Sequence, residues 1–231
     1  MPSIYLPALF LIFNSKLQLL TARERAQLAE NSSLISNRLT YMPDENPFGK
    51  TWGEWTAEWW KWSLSLPKDQ NPITDTTGEN ATYNQRGPVW FLAGTFGGLA
   101  ERTCEIPAEK AIFFPISCNE TSFAECPNFK TEAELGAFAK ADIDQVKTIM
   151  ATVDGQRLPD SELRRLESPP FELDLPEGNV AGAPSGKTKS KSDGYWVFLK
   201  PLPAGKHEIH FFSSCRIGTQ WIEAWHHLTI R

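Results

Sequence analysis

Residues 51–66 read T-W-G-E-W-T-A-E-W-W-K-W-S-L-S-L and are stopped by Pro67. At about 100° per residue, Trp52, Trp55, Trp59, Trp62 and Leu66 fall within an arc of roughly 80°. Ala57, Trp60 and Leu64 widen this apolar side, while Glu54, Glu58, Lys61 and Ser65 gather opposite. The pattern predicts an amphipathic helix with a broad apolar face, ended by the proline. A face this large needs a sheet to cover it. Each buried indole contributes several kcal/mol of transfer free energy at about 25 cal/mol per Å².

The covering sheet is legible downstream. Val89–Gly94 is a short continuous apolar run, a second run centres on Thr103–Ile106, and Ala111–Ile116 is a third. Short aromatic and β-branched runs at about ten-residue intervals point to a sandwich or barrel. Residues 131–150 predict a second helix, with Thr131 and Glu134 as a capping box and Leu135, Phe138, Ala139, Ile143, Val146, Ile149 and Met150 at helical spacing. Asp154-Gly155 predicts a hairpin turn. Phe171, Leu173 and Leu175 alternate with acids, as in a half-buried strand. Residues 176–194, rich in Gly, Pro, Ser and Lys, read as a long surface loop. Tyr195–Lys200, His207–Phe212 and Trp221–Ile230 read as strands. The expectation is an α+β domain over residues 46–231, an antiparallel β-sandwich of jelly-roll or immunoglobulin-like type with two main helices packed on or beside it.

Residues 1–45 read as a leader and linker. The apolar run at residues 4–13 is too short to span a membrane, which needs about 20 residues. It fits the core of a secretory signal in part, without a preceding Lys or Arg. A secreted or cell-envelope location is favoured over a cytoplasmic one on this reading. Cys104, Cys118, Cys126 and Cys215 allow two disulfides in three connectivities, and their spacing matches no zinc pattern.

The chain has 231 residues, 41% of them apolar and 22% charged, which is globular composition. Its net charge of −5 disfavours nucleic acid, since that affinity rests on neutralised phosphates. No transmembrane segment is expected. Twenty-seven aromatics, 12% of the chain, are the unusual feature.

Core packing is the stronger reading of the tryptophan helix. Its functional reading is a ligand platform of Trp52, Trp55, Trp59 and Trp62 with Glu58 beside them, the ligand being a carbohydrate or small flat molecule. Gly182–Thr188 looks like a phosphate-binding loop, but has three residues between its glycines where the motif needs four, and no apolar strand before it. His210 with His227, or His207 with His226, can share a strand face as half a metal site, yet no metal or cofactor is expected. No catalytic residue is assigned: there is no G-x-S-x-G elbow, and Glu54 with Glu58 is an ordinary i,i+4 pair on a helix face. The reading is a non-catalytic ligand-binding or envelope-associated sandwich. The alternatives are a hydrolase-like enzyme using Glu or His residues, or a structural, oligomer-forming protein.

Three segments resemble a family of uncharacterised bacterial and archaeal proteins. They are N-P-F-G-K-T-W-G-E-W with W-W-K-W (residues 46–62), G-P-V-W-F-L-A-G-T-F-G-G (residues 87–98), and D-G-Y-W-V-F-L-K-P-L-P-A-G-K-H-E-I-H-F (residues 193–211). The resemblance implies the domain boundary and the sandwich, and it carries no site.

Overall fold

The computed structural model describes residues 38–215 and 220–231, and the expected leader therefore lies largely outside the described residues. Thr40–Arg231 forms one compact unit. Its chain order is α1 (Trp52–Leu64), β1 (Val89–Phe91), β2 (Gly98–Ile106), β3 (Ala111–Ser122), α2 (Glu132–Ile143), β4 (Val146–Val153), β5 (Gln156–Arg157), β6 (Arg164–Glu167), β7 (Phe171–Leu175), β8 (Gly186–Leu199), β9 (Gly205–Cys215) and β10 (Trp221–Ile230).

The strands make two five-stranded sheets. One runs β1-β3-β8-β6 with β7 also on β8, and the other runs β2-β10-β9-β4-β5. The α+β class is as expected, but the sheets are mixed rather than antiparallel. β1 lies parallel to β3, and β2 lies parallel to β10. The cause is the path of the chain. It leaves β1 for the other sheet, forms β2 there, and returns as β3 alongside β1. A parallel pair needs such a crossover.

The two sheets share one core. Ile112, Phe114, Val197 and Leu199 of the first meet Ile209, Phe211, Ala224 and Leu228 of the second. The first sheet's other face holds Phe91, Phe113, Trp196 and Phe198, and these pack against the α1 tryptophans. Its central strands are thus covered on both sides. That is why their sequences are continuous apolar runs rather than alternating ones. β10 has one buried face, Ala224, His226, Leu228 and Ile230, as its period-two pattern predicts.

Capping boxes start both helices: Thr51 with Glu54, and Thr131 with Glu134. The Asp154-Gly155 turn forms with both residues at positive φ, 52° and 74°, the geometry of a two-residue hairpin. The unit takes in residues ahead of Asn46. Thr40 bridges Leu199, and the Tyr41 N–H donates to the Phe198 carbonyl.

Two boundaries differ from the sequence reading. The second helix stops at Ile143, and Val146–Val153 is a strand paired with β9. Val146, Thr148, Ile149, Thr152 and Val153 are β-branched, and a sheet edge outcompetes the continued helical spacing. Residues 186–194, expected in a loop, are the first half of β8. Lys187, Lys189 and Lys191 alternate there with Thr188, Ser190 and Ser192, the period of a strand. The phosphate-loop lookalike therefore opens a strand and not a helix.

α2 covers the far end of β3 and β8 on the side of the second sheet. Lys191 of β8 lies against its Gly136. Arg165 of β6 clamps its C-terminus, bonding Asp144 at 2.7 Å, the Lys140 carbonyl at 3.2 Å and the buried Asp193 at 2.7 Å. The Asp193 and Asp144 contacts hold the Arg165 guanidinium above its ordinary range.

Candidate functional site

The predicted platform divides. All the α1 tryptophans are buried, between 1% and 6% exposed. The N–H groups of the four platform tryptophans are spent on backbone carbonyls: Trp52 on Met42 (3.0 Å), Trp55 on Pro47 (2.9 Å), Trp59 on Leu92 (2.9 Å) and Trp62 on Tyr83 (2.9 Å). Trp52 and Trp59 face the sheet, edge-on to Phe198 and Trp196. Trp55 and Trp62, with Glu58, form one wall of an open surface groove. Glu58 pairs there with Lys50 (3.3 Å) and Lys61 (3.1 Å).

A different place gathers chemistry. β1 ends after three residues, so β3 beyond Phe113 has a strand neighbour on the β8 side only. Along that open edge lies a cavity of about 260 Å³. Its walls come from the β3 segment Ser117–Glu120, the Thr95–Gly97 link, Trp60 of α1, Asp142 of α2, and the ends of β9 and β10. Phe96 and Trp221 stand at it with 65% and 39% of their surface exposed, unlike the enclosed rings of the core. Trp60 is buried and its indole N–H has no acceptor.

A bulge sets which side chains reach this cavity. The β3–β8 register shifts between Pro115 and Ser117, and Ile116 is the extra residue. Ahead of the bulge, even-numbered residues point into the inter-sheet core. Beyond it they turn to the α1 side, so Cys118, Glu120 and Ser122 align with Gly194, Ser192 and Ser190. Gly194 is required there, since a Cβ would come within 2.7 Å of the Cys118 Cβ.

Glu120 is the central group. It is 8% exposed and hydrogen-bonds Glu125, and the Ser190 hydroxyl donates to it. Burial first, and then the Glu125 charge, push its carboxyl well above the usual range. A like charge beside a buried carboxyl favours its protonated form, so Glu120 is the member of the pair that keeps its proton. Glu125 in turn accepts from the Ser122 N–H (3.1 Å) and hydroxyl (2.5 Å). Burial, reinforced by Glu120, also raises the Cys118 thiol.

The cavity's lip is fixed by a buried cation. Arg102 of β2, 1% exposed, donates to the carbonyls of Asp75 (2.7 Å), Ala93 (3.0 Å), Gly94 (2.9 Å) and Ile73 (3.4 Å). His226 bonds the same Ala93 carbonyl at 3.1 Å through Nε2. Burial, and then Arg102, push the His226 imidazole down to about 3, so it is neutral. Burial brings Arg102 itself down to about 10, still charged at neutral pH. Thr95–Gly97 follows this anchored link directly.

The other candidates do not converge. His210 and His227 share the outer face of the second sheet, but His210 pairs with Glu223 at 2.9 Å and stacks on Trp225 at 3.8 Å. His227 lies between Glu101 (3.0 Å) and Glu208 (3.4 Å). No group of three His, Cys, Asp or Glu among the described residues is arranged to hold a metal. All four cysteines are free, so neither of the two disulfides that the sequence allows forms. Cys104 packs in the inter-sheet core, and Cys118 and Cys215 line the cavity. Glu54 is engaged by the Thr51 cap. No helix among the described residues is long and apolar enough to cross a membrane.

Glu120, Glu125, Phe96 and Trp221 were not singled out by the sequence. The one local signal is S-F-A-E at 122–125, a capping-box spacing beside an acid in a strand. Comparison with known families, curated proteins and solved structures yields no match for this chain.

Proposed function

We propose that this protein is a small-molecule-binding β-sandwich whose ligand sits in the end cavity, with a carbohydrate as the ligand class. The observation that carries the reading is the hydrogen-bonded Glu120–Glu125 pair in the wall of a cavity flanked by two exposed aromatic rings. Buried polar groups in a concave site beside apolar surface are what orients a small ligand. Phe96 and Trp221 offer faces for the apolar side of a sugar ring, and the carboxyl pair both accepts and donates hydrogen bonds to hydroxyls. The test is a thermal-shift and saturation-transfer NMR screen of neutral mono- and disaccharides. Binding that Trp221→Ala and Glu120→Gln each weaken supports the reading. Absence of any hit, or hits indifferent to both substitutions, overturns it.

The same pair supports a second reading, a hydrolase-like enzyme. A buried carboxyl whose proton is held above the ordinary range is suited to acid–base work. The pair is in direct contact, closer than the roughly 5–9 Å between the carboxyls of most glycosidases, so the bond cleaved would not be glycosidic. Turnover of chromogenic ester or amide substrates that vanishes in both Glu120→Gln and Glu125→Gln favours this reading. Turnover absent from the wild-type protein excludes it.

A further inference from the structure

The groove along α1 differs in sign from the end cavity and shares no lining residue with it. It encloses about 470 Å³. One wall is Trp55 and Trp62, and the charged groups around it are Lys50, Lys61 and Arg86 against the single carboxylate of Glu58. A cationic hollow on a chain of net charge −5 is a local departure from the average surface. Lys50 stands 5.2 Å over the Trp55 ring. Arg86 is exposed and has no ion pair or hydrogen bond among the described residues.

Phe48 is the second observation. It lies in the left-handed region at φ 55° and ψ 31°, uncommon for a bulky side chain. Its ring is 47% exposed at the groove, edge-on to Trp55 at 6.3 Å. An aromatic held in an unfavourable backbone conformation and left in solvent is a mark of recognition sites. Lys50, two residues on, and the Thr51 cap of α1 fix that turn to the helix start.

We propose that this groove is a second binding site, for a pyranose ring that carries a carboxylate: a uronic acid unit. The Phe48 ring stacks on the sugar. Arg86 takes the carboxylate as a two-point hydrogen-bonding partner, and Lys50 neutralises it. Glu58, fixed between Lys50 and Lys61, accepts from ring hydroxyls. The site does not depend on the end-cavity reading, and either can fail alone.

The experiment titrates the full chain with trigalacturonate and, separately, with its methyl ester, which keeps the rings and removes the charge. Indole N–H signals are followed by ¹H–¹⁵N NMR. The expected result is a shift of the Trp55 and Trp62 signals with the acid and not with the ester, while Trp52 and Trp59 stay in place. Arg86→Gln is expected to weaken binding at least tenfold. Phe48→Asn, which keeps a residue tolerant of the left-handed turn, is expected to weaken it severalfold. Both variants should melt with the wild type. Equal binding of acid and ester, shifts that spare Trp55 and Trp62, or full affinity in Arg86→Gln would each overturn the proposal.

Discussion

The end cavity and the α1 groove use the same aromatic material to opposite effect. In the groove, two indoles, whose N–H groups are already spent on backbone carbonyls, underlie a basic rim. In the cavity, an indole without an acceptor lines the same wall as a buried acid, Glu120, paired with an exposed one, Glu125. The first is a by-product of packing: α1 buries one side against the sheet and leaves two ring edges to the surface. The second is assembled at the place where a sheet runs out of partners, because β1 stops after three residues. The comparison teaches that the tryptophans are core first and groove wall second. The less conspicuous strand end holds the more perturbed chemistry.

Substitutions in the core separate those roles most sharply. Trp59→Ala removes a ring that touches Trp60, Trp62 and Trp196. It should cost about 3–5 kcal/mol in denaturant unfolding. A loss under about 1 kcal/mol would mean that the helix is not the sheet's cover. Arg102→Met removes a donor from four carbonyls, of which only Ala93 keeps His226, and should cost about 3 kcal/mol or more. It should also weaken any ligand of the cavity, whose lip it anchors, and leave the groove's ligand untouched.

Two of the buried ionisable groups, His226 and Glu120, give a smaller effect with opposite slopes. His226 is neutral in the fold down to about pH 3, whereas in the unfolded chain it protonates below about 6.5. The unfolded state then binds the extra proton, so stability falls as pH drops from about 6.5 toward 3. Glu120 keeps its proton in the fold above the ordinary carboxyl range, so stability falls as pH rises beyond about 4.3. Urea unfolding across pH should show Glu120→Gln flattening the alkaline side and leaving the acid side alone. An unchanged alkaline side would remove the raised Glu120 carboxyl from the account.

The smallest effects lie at the rims. Trp221→Ala and Phe48→Asn are exposed-site changes, and each should move stability by no more than about 0.5 kcal/mol. If each weakens binding at its own site only, the two concavities are independent.

Much of this fold is written locally. The α1 stripe, the 111–116 run and the Asp154-Gly155 turn each carry their structure within a dozen residues. Three of the five residues singled out on α1, Trp55, Glu58 and Trp62, line the groove because a helix face is a local object. The end cavity was not legible for a physical reason. It joins β3, a link, two helices and the ends of β9 and β10, far apart in sequence. The bulge at Ile116 also reverses the alternation, so a period-two reading of β3 puts Glu120 on the wrong face. A different limit hid the first half of β8, whose lysines alternate like a strand but have a loop's composition.

The most direct test of the end cavity is carboxyl ¹³C NMR on glutamate-labelled protein, with Glu120→Gln and Glu125→Gln as assignments. The titration is run with and without the saccharides that bind. The account predicts one carboxyl titrating well above the ordinary glutamate range, lost in Glu120→Gln and displaced by ligand. Glutamates that all titrate normally, or a raised one that ligand does not move, would contradict it.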